Sequence, residues 1–326
     1  MKIAITGSTG HIAASLIPLL IQCNNSVRAL IYEQQPAFDN TAIEFVKGSI
    51  TVPTSLNELV TGCDVVIHCA ARISINSNED NSVYDTNVTG TKNVFNAAKQ
   101  AGVKRFLYVS SIHAYDQRHP GKLLNEESNY CSGNAPAYDR SKRDAEQFVL
   151  QHASADMEVV VLNPTGIVGP PDHRISLMGQ AIINIYNKKV PALIKGGFDF
   201  CDVRDVSNGI MQAIDKGRNG QAYFLSGKWT SIADLHTMLM NIKIDKSFVP
   251  VLPIWIAYAG LPFINLIGRI KKQQPLYTKE SLHALMYGSK QVSNEKAAKE
   301  LGYSCRPILE TITDAISWYK MEGKLE

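Results

Sequence analysis

Two residues four positions apart, Tyr138 and Lys142, could together transfer a proton. Residues with this spacing share one face of a helix, so the phenol and the ammonium would be neighbours. A free tyrosine has a pKa of about 10, which is too high for ready proton exchange at neutral pH, and a nearby positive charge stabilises the phenolate. The spacing therefore predicts a proton-transfer site, although it also fits a half-buried tyrosine beside a solvated lysine.

The element that would place a substrate beside this pair is a strand-like segment, Arg105 to Ser110, followed by Ser111. The distance from Ser111 to Tyr138 suits a strand end, a loop and the start of a helix. A serine hydroxyl at the strand end could hold a carbonyl oxygen next to the phenol. The two segments together predict a site for chemistry at a carbonyl group.

A glycine-rich turn near the N-terminus predicts a phosphate-binding site. The strand-like segment Lys2 to Thr6 is followed by Gly7 and Gly10, and Ala13 stands where Gly-x-x-Gly-x-x-Gly has its last glycine. The glycines permit a tight strand-to-helix turn and bring a pyrophosphate close to the backbone N–H groups at the helix start. The side chain of His11 is expected to face solvent at the start of this helix.

Strand-like and helical segments alternate along the first half of the chain, which predicts an α/β fold with a Rossmann-type, doubly wound parallel sheet. The expected strands are Lys2 to Thr6, Val27 to Tyr32, Glu44 to Lys47, Val65 to His68, Arg105 to Ser110 and Val159 to Leu162. The expected helices include Val83 to Gln100 and Ser141 to Gln151. Asp202 to Ala213 is expected to pack on the sheet, and Ser231 to Ser289 to be mostly helical.

The predicted organisation is a nucleotide-binding domain over residues 1–165, with returning segments near 196–228, and a smaller, mostly helical substrate lobe over residues 166–326. An uncharged apolar segment, Ser247 to Gly268, lies in that lobe. Its four residues Pro250, Pro253, Gly260 and Pro262 argue against one continuous membrane-spanning helix. We expect this segment to be a lid or wall over a substrate cleft; a membrane-touching surface and a dimer interface remain open.

Bulk properties narrow the function. In 326 residues the net charge is +3, with no long basic runs, which argues against nucleic-acid binding. The six cysteines have no Cys-x-x-Cys spacing, which fits a reducing compartment. With no secretory signal visible, we expect a cytoplasmic protein for which membrane contact is not favoured and a homodimer stays open. His113, His119 and His173 lack metal-ligand spacing, so no metal site is expected.

The ordered set of motifs resembles the extended short-chain dehydrogenase/reductase family over nearly the whole chain. Within it the chain is similar to the dihydroflavonol-reductase-like and NAD-dependent epimerase/dehydratase group, through the segments Asn163 to Pro170 and Gly196 to Val206. The resemblance implies a nicotinamide cofactor. It also implies that Ser111 orients the substrate oxygen, that Tyr138 exchanges its proton, and that Lys142 lowers the pKa of Tyr138 and contacts the nicotinamide ribose. Ser111 is preferred to Ser110 because it precedes Tyr115 by four, as in the family.

The same resemblance implies where the cofactor lies. Cys69, Ala70 and Ala71 would line it, Ser49 and Ile50 would lie near the adenine, and the segment from Asn163 would pass the nicotinamide. Ser49 departs from the aspartate of many relatives. The predicted cofactor-binding residues are Gly7, Thr9, Gly10, His11, Ile12, Tyr32, Ser49, Ile50, Cys69, Ala70, Ala71, Tyr138, Lys142, Pro164, Gly166 and Ile167.

Three further positions bear on this site. Tyr32 stands where NADP-preferring relatives have arginine, and Glu33 follows it, so NAD is favoured slightly over NADP. Asn87 could either stabilise the active-site helix or act chemically. Arg204 and Asp205 could reach a substrate, but a surface arginine beside an aspartate that caps a helix is the simpler interpretation.

The expected function is reduction of a ketone or aldehyde, with a small-molecule carbonyl substrate. The alternatives are a nucleotide-sugar epimerase and a cofactor-binding sensor without turnover. The run from Ser110 to His113 lacks the acidic pair that dehydratases of the family carry after a threonine, which argues against a dehydratase. A sensor would be expected to have lost Tyr138 or Lys142.

Overall fold

The computed structural model describes residues 1–32, 42–73, 80–118, 121–258, 261 and 279–325. Two residues that the sequence analysis singled out, Glu33 and His119, lie outside these ranges. So do residues 259–260 and 262–268 of the apolar segment.

Seven parallel strands form the central sheet of the described chain, in the order β10-β6-β5-β4-β1-β2-β3. These strands are β1 (Lys2–Thr6), β2 (Ser26–Ile31), β3 (Ile43–Lys47), β4 (Val65–His68), β5 (Arg105–Val109), β6 (Glu158–Pro164) and β10 (Gln221–Leu225). The chain order reverses between β1 and β4, and ligands bind at the carboxyl edge of such a switch point. The expected Rossmann-type doubly wound sheet is confirmed.

Helices cover both faces of the sheet, which is why β4 is buried along its whole length and reads as a nearly continuous apolar run. The helices are α1 (His11–Gln22), α2 (Asn57–Val60), α3 (Asp80–Tyr84), α4 (Gly90–Gln100), α5 (Ala137–Gln151), α6 (Leu177–Tyr186), α7 (Val203–Lys216), α8 (Ile232–Lys243), α9 (Lys279–Tyr287), α10 (Glu295–Leu301) and α11 (Ile308–Met321). One apolar core joins the sheet to α1 and α7, and a second joins it to α4 and α5.

The remaining strands belong to small sheets beside the carboxyl edge of the central sheet. They are β7 (Gly166–Val168), β8 (Leu193–Ile194), β9 (Gly197–Asp202), β11 (Lys228–Ser231) and β12 (Val251–Leu252). Strand β9 pairs with both β7 and β11, and β8 pairs with β12. A third apolar core packs α6, α8 and α11 around them. We refer to this part, the described residues within 166–202 and 226–325, as the lobe.

Several predicted elements need correction. The helix expected to begin at Ser141 begins at Ala137, directly after Pro136, so both Tyr138 and Lys142 lie within α5. The single helix expected from Val83 is interrupted by a π-helical turn at Asp85–Thr89. A π-helical turn is wider than an α-helical one and is stabilised by contacts with the rest of the fold. The periodicity of the sequence therefore does not reveal it.

The expectation for Arg204 and Asp205 was also wrong in detail. Asp202 is the residue that caps α7, where its carboxylate accepts a hydrogen bond from the N–H of Arg204 at 2.8 Å. Asp205 instead receives the backbone N–H and the guanidinium of Arg306, both at 2.8 Å. The two aspartates therefore fix the junction between α7 and the segment before α11.

Candidate active site

The glycine turn after β1 fits a pyrophosphate. Gly7 has a φ of +72°, and a Cβ there would lie 2.7 Å from the backbone nitrogen of Ala70. Glycine is therefore required both by the left-handed backbone and by the close approach of the β4 loop. Gly10 caps α1 without a side-chain hydrogen bond, so the first N–H groups of the helix remain available to a phosphate.

The loops after β1 and β4 are joined at the switch point. The N–H of Cys69 donates to the carbonyl of Thr6 at 3.2 Å, and the N–H of Ala70 donates to the Thr6 hydroxyl at 3.3 Å. Burial raises the pKa of the Cys69 thiol to about 12, so it remains neutral. This wall presents small, uncharged groups beside the glycine turn, as a cofactor lying across the switch point would need.

The other predicted cofactor residues lie along the same edge. Ser49 and Ile50 follow β3, where the Ser49 hydroxyl is bonded to that of Thr51 at 2.9 Å. Tyr32 follows β2 and is 66% exposed. Pro164 ends β6, and Gly166 and Ile167 lie in β7.

His11 lies at the start of α1, where its Nε2 is 2.7 Å from the carbonyl oxygen of Gly169. Its side chain therefore joins α1 to the lobe rather than facing solvent as expected.

Ser111 and Tyr138 contact each other beyond the carboxyl end of β5, and Lys142 lies one turn further along α5. The side chains that shift the pKa of Tyr138 are Ser111 and Asp139, not Lys142 as expected. Burial raises the pKa of Tyr138 to about 12, and a hydrogen bond with the Ser111 side chain partly offsets this. The Lys142 ammonium is buried and donates to the carbonyl of Val109 at 2.9 Å. Burial lowers the pKa of Lys142 to about 8, which brings its protonation equilibrium close to neutral pH.

Asn87 fixes the position of α5. Its amide donates to Ser141 at 2.9 Å and to the carbonyl of Arg72 at 3.0 Å, while its oxygen accepts from the N–H of Arg72 at 2.7 Å. Asn87 thus ties the loop after β4 to the helix that carries Tyr138. Of the two roles left open for it, the geometry matches the stabilising one.

A buried carboxyl group that the sequence analysis did not single out supports the same helix. Glu146 accepts hydrogen bonds from Asn163 at 2.6 Å and from the hydroxyl of Tyr115 at 2.7 Å. Burial raises the pKa of Glu146, and the hydrogen bonds from Tyr115 and Asn163 counteract this. Glu146 follows Lys142 by four residues, and this spacing could have indicated from the sequence that both lie on the same face of the helix. Of the two serines after β5, Ser111 is the one that contacts Tyr138.

A cleft of about 510 Å³, open to solvent, adjoins these residues. Its apolar surface comes from the turn after β5, from α6, β9 and α9, and from residues that follow α9, and its polar groups include Thr165 and Asp199. The lining residues are Ile112, His113, Gln117, Thr165, Gly166, Met178, Phe198, Asp199, Ala284, Gly288, Ser289 and Val292. The cleft lies between the sheet and the lobe, next to the reacting groups.

The described part of the apolar segment, residues 247–258, forms a surface separate from the lining of this cleft. Phe248 and Trp255 are 86% and 67% exposed, while Ala257 and Tyr258 pack against Ile194. None of the helices in the described ranges combines the length and apolar character needed to cross a bilayer. Among those residues, no group of three or more His, Cys, Asp or Glu side chains could hold a metal ion.

A parallel sheet with a glycine turn at its switch point and a Ser, Tyr and Lys set at its carboxyl edge defines an extended short-chain dehydrogenase/reductase. The chain belongs to the NAD dependent epimerase/dehydratase family, whose model matches residues 3–225. This family includes oxidoreductases, epimerases and dehydratases that use a nicotinamide cofactor.

Individual relatives cover nearly the whole chain. Sterol demethylase protein B of Methylococcus capsulatus is 29% identical over 333 residues, covering 100% of both chains. A Synechocystis sp. protein provisionally named dihydroflavonol 4-reductase is 28% identical over 330 residues, covering 98% of this chain and 94% of its own. The crystal structure of gox2253 superposes with a TM-score of 0.83 at 28% identity, covering 100% of this chain and 99% of the other.

Proposed function

We propose that this protein is an NAD(P)-dependent oxidoreductase that reduces a ketone or aldehyde on a small, largely apolar substrate, with Tyr138 as the proton relay. The observation that supports this most directly is the contact of Ser111 with Tyr138, one helical turn from the buried Lys142, beside a cleft that is lined by the next residues Ile112 and His113. The names of two relatives refer to a sterol and to a dihydroflavonol. Both of these compounds are largely apolar ring systems.

The cofactor would be held by the backbone rather than by charged side chains. The Gly7–Gly10 turn and the start of α1 would bind the pyrophosphate, Ser49 and Ile50 would contact the adenine, and Cys69 to Ala71 would line the dinucleotide. Tyr32 offers a hydroxyl and no positive charge, which favours NAD over NADP, whose extra phosphate is usually matched by arginine. When bound, the cofactor supplies the hydride.

The protein's own residues would handle the oxygen atom. The Ser111 hydroxyl and the Tyr138 phenol would both hydrogen-bond the substrate carbonyl. As a hydride forms the new C–H bond and the C=O bond becomes a single bond, the Tyr138 proton passes to the oxygen and leaves a phenolate. Lys142 would stabilise that phenolate through its positive charge. In the reverse direction, the alcohol returns its proton to Tyr138.

A turnover assay tests this proposal against its alternatives. Purified protein is mixed with NADH or NADPH and with cyclic ketones, aldehydes or UDP-sugars, and the absorbance of the reduced cofactor is followed. We expect net oxidation with cyclic ketones. Interconversion of UDP-sugars without net change of the cofactor would replace the reductase by an epimerase. Cofactor binding without turnover of any of these compounds would favour a sensor.

A further inference from the structure

A histidine that the reductase mechanism does not use lies between the reacting groups and the cleft. His113 follows Ser111 by two residues, and its backbone N–H donates to the Ser111 hydroxyl at 3.2 Å. Its ring packs edge-on against the ring of Tyr138, with centroids 5.8 Å apart. The same side chain lines this cleft and a neighbouring pocket of about 450 Å³ that is also open to solvent. A substrate bound to Ser111 and Tyr138 would therefore meet this imidazole.

Asp139 sets the orientation of the His113 ring. The Nδ1 atom of His113 lies 3.1 Å from a carboxylate oxygen of Asp139, the residue next to Tyr138 in α5. The His113 side chain is 32% exposed and that of Asp139 is 16% exposed. Because Asp139 takes Nδ1, Nε2 is the ring nitrogen through which His113 can contact a ligand.

The charge of this pair depends on several surrounding groups. Burial lowers the pKa of His113, but the negative charge and the hydrogen bond of Asp139 outweigh it and raise this pKa above its usual value. Asp116 and Arg118 pair with each other at 2.8 Å, so their charges largely cancel. The titratable or charged groups that line the neighbouring pocket with His113 are Tyr115, Asp116, Arg118, Cys131, Asp139, His283 and Tyr287.

We propose that His113, held by Asp139, determines specificity by hydrogen-bonding a second oxygen of the substrate, on a carbon near the reacting one. This inference rests on the proposed function, since Ser111 and Tyr138 must hold the first oxygen. A neutral hydroxyl and a carboxylate each offer an oxygen that can form a hydrogen bond with Nε2 of His113. A carboxylate would bind more strongly, because a protonated imidazole forms a charge-assisted hydrogen bond.

The experiment compares three probes that differ only at the ring carbon next to the hydroxyl-bearing one. They are cyclohexanol, vicinal cyclohexanediol and the corresponding vicinal hydroxycyclohexanecarboxylate. Their affinities for the protein with oxidised cofactor are measured by titration calorimetry. His113→Phe replaces the imidazole with an aromatic ring that has no nitrogen atoms. In this variant the preference for the diol over cyclohexanol should fall about 2- to 10-fold. The preference for the hydroxy acid should fall about 10- to 100-fold.

A second variant separates orientation from charge. In Asp139→Asn the amide oxygen can still accept from Nδ1, but the charge that raises the pKa of His113 is gone. The preference for the hydroxy acid should therefore fall at neutral pH, while that for the diol changes less. His152→Phe, which alters an exposed histidine at the end of the same helix, is the matched control and should leave both ratios unchanged.

Two results would overturn the inference: wild-type protein that does not prefer either oxygenated probe to cyclohexanol, or a His113→Phe variant that weakens all three probes equally, as a structural role predicts. Neither result bears on the proposed function. That proposal is tested separately, by whether the wild-type protein reduces its cofactor while oxidising any of the three alcohols.

Discussion

On the sheet side of the cleft, buried polar contacts hold the proposed reacting groups, whereas the lobe side offers mainly side chains that pack against one another. Lys142 bonds to the Val109 carbonyl, and Asn87 and Glu146 hold the helix on which it lies. Met178 and Phe198, on the lobe side, are held by an apolar core. Apolar packing tolerates changes of shape that a hydrogen-bond network does not.

This difference separates two kinds of effect. Changes to the proposed reacting groups on the sheet side, Ser111, Tyr138 and Lys142, should alter turnover of every substrate, because these groups act on the reacting oxygen. Changes on the lobe side should alter which substrate binds, because they alter the shape of the wall. The variants below test this separation, beginning with the largest expected effect.

Replacing Tyr138 with phenylalanine should lower kcat about 100- to 10,000-fold for every carbonyl substrate. The variant loses the phenol that exchanges a proton but keeps the ring that packs against His113. The dissociation constant of the cofactor should change little, since the glycine turn holds the pyrophosphate. Steady-state kinetics with two ketones of different size, together with cofactor fluorescence, measure both quantities.

Tyr84→Phe is the matched control, because it removes the same atom from a phenol that is 44% exposed. It should leave kcat within about twofold of the wild-type value, as surface substitutions usually have small effects. A Tyr138→Phe enzyme with wild-type turnover would remove Tyr138 from the mechanism and, with it, the role proposed for the sheet side.

The sheet side was also the more predictable from sequence. Lys2–Thr6 and Val65–His68 were predicted with their exact bounds, because each is a buried apolar run that ends at small residues or a turn. The start of α5 was missed by four residues. Its first turn, with Asp139 and Arg140, has no apolar repeat, and the signal lay instead in Pro136, whose fixed φ suits a helix start.

Contacts between distant segments could not be predicted from local pattern. His113 and Asp139 are 26 residues apart, and Asp205 and Arg306 are 101 apart. Asp202 and Asp205 are the same residue type near the same helix start, so sequence alone could not tell which one caps it. The cleft walls likewise come from several elements, and no periodicity shows which of them meet.

Replacing Lys142 with methionine should abolish turnover and yet increase the free energy of unfolding by about 1–3 kcal/mol at neutral pH. The pKa of Lys142 is lowered to about 8 in the folded protein, so a proton on this amine favours unfolding. That cost is complete below about pH 8 and disappears as the pH rises past the ordinary lysine pKa. The gain should therefore shrink between about pH 8 and pH 10.5.

Urea denaturation of the variant and the wild type across this pH range measures the difference. Lys47→Met, at an exposed position at the end of β3, should show no comparable pH-dependent gain. A Lys142→Met variant that is less stable than the wild type at neutral pH would mean that the bond to the Val109 carbonyl outweighs the cost of burial. The sheet side would then be optimised for stability as well as for chemistry.

Replacing Met178 with alanine should produce the smallest effect, and one confined to substrate choice. Met178 lines the cleft from α6 and is partly buried against the lobe core. Truncation removes apolar contact worth about 1–2 kcal/mol to a substrate that fills the cleft, so KM for a bulky ketone should rise about 5- to 30-fold while kcat changes little. A ketone too small to reach Met178 should be unaffected, as should the control Met321→Ala, at a position 77% exposed. If kcat fell equally for large and small ketones, the lobe would contribute to positioning the reacting oxygen, and the separation between the two sides of the cleft would fail.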